Sequence, residues 1–154
     1  MPSTPQHNGV VERMNRTIME KVRSMLSNSS LEKNFWAEAI RISCYLINRS
    51  PTTALDGSIP DEVWTGKNLN YSHLKIFGCE AFIHIPKENR TKLDDKSMKC
   101  IFLGYADEEF AYCLWGPIKH QIIRRRDAIF NESEMFKRTV GELEVKKVID
   151  RFEE

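Results

Sequence analysis

No apolar run among these 154 residues approaches the roughly 20 needed to span a bilayer, and the N-terminus lacks a secretory leader's apolar region. The expectation is an intracellular protein, nuclear or cytoplasmic, with no membrane partner. The four cysteines, Cys44, Cys79, Cys100 and Cys113, form no C-x-x-C or C-x-x-H, and His7, His73, His84 and His120 are equally scattered. That spacing excludes a zinc finger and gives no disulfide framework, so reduced, partly buried thiols are expected. Strong charge of either sign is also missing, since the net charge is +1. What excess exists is local: residues 1–50 carry seven basic and four acidic residues, against eleven and thirteen in 51–136 and five of each in 137–154. Electrostatics therefore permit a nucleic-acid face on the opening segment without demanding one.

What the chain does have is an ordinary folded composition, 41% hydrophobic, 10% aromatic and 29% charged. The length suits one domain, or a helical element with a small domain. Pro5 and Asn8-Gly9 predict a turn leading into a helix, because Gly and Asn tolerate positive φ. Val11, Met14, Ile18, Val22 and Met25 then recur at helical spacing. Glu12 falls off that stripe, in what would be the first turn, where the helix dipole favours a carboxylate. Arg16 lies four residues on, and Arg23 continues the row. Two readings stand: a capping carboxylate with a helical partner, or a metal-binding carboxylate beside a basic row facing phosphate.

Ser27-Asn28-Ser29-Ser30 breaks the helix, and Ser29 with Glu32 fits a capping box for a second helix over 31–49, ended by Pro51. The apolar face of this pair exceeds what two helices bury, which predicts a protein partner or a second copy there. Residues 51–73 read as a connection with one helical turn at Pro60-Asp61-Glu62-Val63-Trp64, closed by Gly66, with Trp64 as a packing anchor.

From Leu74 the period changes to two. Segments at 74–85, 98–105, 111–115 and 121–130, separated by turns, predict a small antiparallel barrel, with the aromatics Phe77, Phe82, Phe102, Tyr105, Tyr112, Trp115 and Phe130 as its core. Arg124-Arg125-Arg126 is the only basic run. In a strand Arg124 and Arg126 would share one face, for phosphate contact or for edge protection. The tail, residues 135–154, reads as a terminal helix or frayed segment with no assigned role. The fold class is α+β: a helical pair over 1–50, a linker over 51–73 and a barrel over 74–134.

Thr4-Pro5-Gln6-His7-Asn8-Gly9-Val10-Val11-Glu12-Arg13-Met14-Asn15-Arg16-Thr17 resembles the closing segment of the integrase core in copia-type LTR retrotransposon Pol polyproteins. Phe35-Trp36-Ala37-Glu38-Ala39, Tyr45-Leu46-Ile47-Asn48-Arg49-Ser50-Pro51 and Pro60-Asp61-Glu62-Val63-Trp64-Thr65-Gly66 resemble the same polyproteins. Leu74-Lys75-Ile76-Phe77-Gly78-Cys79, Cys100-Ile101-Phe102-Leu103-Gly104-Tyr105 and Arg126-Asp127-Ala128-Ile129-Phe130 resemble the SH3-like barrel that follows the core. The resemblance implies that the helical pair is the end of an RNase H-like core. Such a core holds two Mg²⁺ or Mn²⁺ ions on two Asp and one Glu for phosphoryl transfer at DNA. By motif position Glu12 is that Glu, and Asn15 and Arg16 face DNA; the helical row and the basic run add Arg23, Arg124 and Arg126 as candidate nucleic-acid contacts. Both aspartates would precede residue 1. One carboxylate cannot hold two such ions, so the chain alone is expected to bind no metal tightly and to be catalytically incomplete. The alternative is a non-catalytic module that binds nucleic acid or protein.

Overall fold

The computed structural model describes residues 5–106 and 111–135, with side chains from residue 9. The expectation for the tail beyond Met135 lies outside the described residues. Helix α1 runs Pro5–Ser29, α2 Trp36–Asn48 and α3 Pro60–Thr65; five strands follow, β1 Cys79–His84, β2 Ser97–Tyr105, β3 Tyr112–Gly116, β4 Gln121–Arg125 and β5 Ile129–Met135.

The predicted turn at Pro5 to Gly9 does not form, because both residues lie within α1. Pro is tolerated at a helix's first position, where its missing N–H has no intrahelical partner anyway. Gly9 costs about 1 kcal/mol relative to Ala, which a helix packed over its far half absorbs. Glu12 is consequently two turns inside the helix, and the first turn holds no acidic residue. The capping box fails as well. Ser29 ends α1 and is fully buried, its Oγ donating to the Leu26 carbonyl (3.3 Å) and accepting from the Leu31 N–H (3.4 Å). Ser30 then turns the chain at φ 54° into a 3-10 turn, Lys33–Phe35, that enters α2.

Helix α3 forms as predicted, with Pro60 in its first turn and Gly66 in the left-handed conformation behind it. Its anchor is not Trp64, which is 89% exposed. Polar contacts hold it instead: Asp61 pairs with Arg49 at 2.9 Å, and Glu62 accepts the Leu69 N–H at 2.9 Å.

The strands form one antiparallel sheet in the order β4-β3-β2-β1-β5. Its edge strands β4 and β5 are consecutive in sequence. Laid flat, five strands would separate the edges by about 19 Å, whereas the four Cα steps from Arg125 to Ile129 reach about 14 Å at most. The sheet must therefore curl. It does so through register shifts at Cys79/Glu80 and between Phe102 and Gly104, and the Tyr112 and Phe130 rings, on strands with two others between them, come within 4.8 Å. The outcome is the predicted α+β fold with a curled, SH3-like sheet.

Strand alternation sorts the residues. Cys79, Ala81, Ile83, Cys100, Phe102 and Leu114 fill the inside of the curl and are buried. Ile101, Trp115 and Ile122 share the outer face, where Phe35 packs edge-on to Trp115 at 5.4 Å. Val22 of α1 and Ala39 and Ile42 of α2 belong to the same buried cluster as the sheet residues, so one core spans helices and barrel. Helix and sheet meet tightly at Gly78, φ +83°, where a Cβ would lie 2.3 Å from the Ser29 Cβ.

All four cysteines are free. Burial pushes the Cys79 and Cys100 thiols up from 9.0 to about 11. The folded state thus holds these protons more tightly than the unfolded chain, and that stability is lost as pH rises through the folded value. The contribution of these thiols to the urea midpoint should be level below about pH 9 and fall between about pH 9 and 11, so the alkaline fall should be shallower in the Cys79→Ala, Cys100→Ala double variant.

Candidate nucleic-acid interface

The C-terminal half of α1 packs into the core through Ile18, Val22, Met25 and Leu26. The same apolar stripe continues toward the N-terminus, but there it is open: Val10 is 67%, Val11 56% and Met14 48% exposed. Glu12, Asn15, Arg16 and Arg23 are all exposed on this helix. At about 100° per residue, Glu12, Arg16 and Arg23 fall within roughly 40° of one another around the axis, and Asn15 lies nearer the apolar stripe. The structure therefore aligns the expected carboxylate with two expected cations along one ridge.

Among the described residues no group of three or more His, Cys, Asp or Glu side chains is placed to share a metal ion. The other candidate carboxylates have local partners. Asp61 is paired with Arg49, and Asp94 accepts the Thr91 N–H at 2.7 Å, which holds its carboxyl below the usual range. The described donors do not make a two-ion site for Mg²⁺ or Mn²⁺.

The basic run divides, contrary to expectation. β4 ends at Arg125, so Arg126 sits in the following bend and loses the strand alternation that would have aligned it with Arg124. Arg124 pairs in register with Cys113 and lines a cleft between α2 and the outer sheet face, with Glu38, Arg41, Ile42 and Tyr45. Arg126 lines a separate groove with Lys75, Phe82, His84, Tyr112 and Phe130. The aromatics divide too. Phe77 and Phe102 are buried, whereas Phe82, Tyr112 and Phe130 are half-buried along the second groove.

A polar network that no periodicity signals fixes the segment between α3 and β1. Tyr45 hydrogen-bonds His73 (2.7 Å), stacks on Tyr105 (4.5 Å between centroids) and lies under the Arg49 guanidinium (3.6 Å). Desolvation raises the Tyr45 hydroxyl above its ordinary range and takes Tyr105 to about 12. The Tyr105 oxygen accepts the Lys75 N–H (2.9 Å). Glu132 of β5 accepts from the Lys75 ammonium (3.2 Å) and the Ile76 N–H (3.3 Å). These partners lie 28 to 57 residues apart, beyond the reach of any local pattern.

Residues 79–144 match the family model of the retroviral polymerase SH3-like domain. Over 146 residues, 95% of its length, the chain is 62% identical to the retrovirus-related Pol polyprotein from transposon TNT 1-94 of Nicotiana tabacum. The chain belongs to the retrovirus-related Pol polyproteins. Two Arabidopsis thaliana relatives, the Pol polyproteins from transposons RE1 and RE2, are each 43% identical over 73% and 75% of the chain. The chain spans 11% of the tobacco polyprotein's length and 8% of each Arabidopsis one. No solved structure matches it.

Within this sheet, Glu132→Gln removes the charge that holds Lys75 and Ile76. At this half-exposed position the loss should be about 1 kcal/mol, read as a lower urea midpoint, with faster proteolytic cleavage between residues 66 and 76.

Proposed function

We propose that this chain is the junction of a copia-type integrase. In this reading α1 closes an RNase H-like catalytic core, and the curled sheet is the SH3-like barrel behind it. Its role is DNA integration by metal-dependent phosphoryl transfer, in which Glu12 is the third metal-ligating carboxylate. Asn15, Arg16 and Arg23 hold DNA beside it, and Arg124 and Arg126 add contacts from the barrel. The observation that carries this reading is the exposed ridge of Glu12, Arg16 and Arg23, on a helix locked into the core by its other half. The relationship to Pol polyproteins over nearly the whole chain supports it.

In such an enzyme Glu12 would hold Mg²⁺ or Mn²⁺ together with further carboxylates, and the ion would supply Lewis-acid chemistry. The 154 residues alone hold DNA and do not join it. A second reading, a non-catalytic module for nucleic acid or protein, draws on the open stripe of Val10, Val11 and Met14, which suits a protein partner or a second copy.

Duplex affinity measured against salt tests the DNA contacts. A log–log slope of about −2 to −5 is expected, and Arg16→Ala or Arg124→Ala should each reduce its magnitude by about 0.9. A slope near zero contradicts the reading. Strand transfer by the purified chain should be absent with either ion. Metal-dependent joining that Glu12→Gln abolishes would show a complete active site instead.

A further inference from the structure

Arg41 of α2 and Arg124 of β4, far apart in the sequence, line one cleft between the helix and the outer sheet face. On α2, Glu38, Arg41 and Tyr45 follow at spacings of three and four residues, which puts all three on one face of the helix. On the sheet, Gly104, Cys113 and Arg124 stand opposite one another in register across β2, β3 and β4, so they share the outer face. A Cβ at Gly104 would meet no atom within 4 Å, so the cleft is open above that residue. Both arginines are exposed, and Glu38 is half-buried beside them.

Size and charge together select the occupant. The cleft encloses about 140 Å³, well below the roughly 300–1,000 Å³ of small-molecule sites, so it takes one chemical group rather than a whole ligand. Two arginines against one glutamate leave its lining with a single positive charge in excess, which one singly charged anion balances. A phosphodiester carries that charge, whereas a terminal phosphate carries about two. A carboxylate presents both oxygens in one plane to one guanidinium fork, while the non-bridging oxygens of a phosphodiester diverge and reach donors on both sides of a cleft. Each guanidinium has five N–H donors, so an existing partner does not exhaust it. We propose that this cleft seats one backbone phosphate of duplex DNA between Arg41 and Arg124. The proposal rests on the DNA reading above and deepens it: Arg41 becomes a DNA contact, and Glu38 makes the two arginines interdependent. With either arginine removed, Glu38 cancels the other and the phosphate contact is lost whole.

The test is duplex affinity of the full chain against salt, with urea midpoints to show that each variant folds. Arg41→Ala and Arg124→Ala should each weaken binding at least about fivefold and lower the magnitude of the log–log slope by about 0.9. The double variant should also lower it by about 0.9, not about 1.8, because one phosphate is lost in every case. Adding Glu38→Gln to Arg41→Ala restores the excess charge and should recover most of the lost affinity. Arg16→Ala combined with Arg124→Ala should lose about 1.8, since the α1 ridge meets a different phosphate. A loss of about 1.8 in the Arg41→Ala, Arg124→Ala variant puts the arginines on separate phosphates and overturns the shared seat. Wild-type binding by Arg41→Ala, or no recovery with Glu38→Gln, overturns it too. If Arg16→Ala still weakens binding in any of these cases, the integrase reading survives. A wild-type slope near zero ends both.

Discussion

Ser29 and Gly78 touch where no side chain fits between them. Gly78 sits at φ +83°, which disfavours other L-residues, and a Cβ there would penetrate the Ser29 side chain. Its N–H donates to the Phe102 carbonyl at 2.9 Å, tying the same residue to β2. One glycine thus joins the end of α1, the start of β1 and the centre of the sheet. The core contacts of Ile18, Val22, Met25 and Leu26 hold the helix along its C-terminal half as well, so Glu12 stands on an extension about 9 Å beyond Ile18 at 1.5 Å per residue.

The shared core gives the joint its strength. Val22, Ala39 and Ile42 from the helices and Ile101, Phe102 and Leu103 from β2 are all buried together, and full burial of each large apolar side chain contributes about 1.5–3 kcal/mol. Packing α2 on the outer face of β2 also releases the inside of the curl to be filled by the sheet's own residues. The small Cys79, Ala81 and Cys100 side chains leave room there for the Phe102 ring, and the aromatics nearer the rim, Tyr112 and Phe130, become groove walls. Curl, groove and helix placement are consequences of one arrangement.

Period and spacing carried the helices and strands because each buries one face, which writes a repeat of 3.6 or 2 into the residues. β2 and β3 were legible to within a residue or two. Local propensity misled where tertiary packing overrode it. Asn8-Gly9 has the chemistry of a turn but stands inside a helix whose distant half is locked down. Trp64 has the chemistry of an anchor, yet the Arg49–Asp61 pair secures α3 in its place. The division of Arg124 from Arg126 followed from a strand ending one residue early, a boundary no pattern fixes. For the candidate site, motif resemblance supplied Glu12, Asn15 and Arg16. The aromatic groove and the Lys75–Glu132 tether depend on contacts between distant residues and had no signature in the sequence.

The central claim is that helices and barrel open and close as one cooperative unit through the Gly78 joint. Hydrogen exchange on the wild type and Gly78→Ala reads this directly. The account predicts that amides in residues 18–28 of α1 and in β1 and β2 share one opening free energy in the wild type and lose protection together in the variant. Loss confined to the helices, with β1 and β2 keeping wild-type protection, would contradict it.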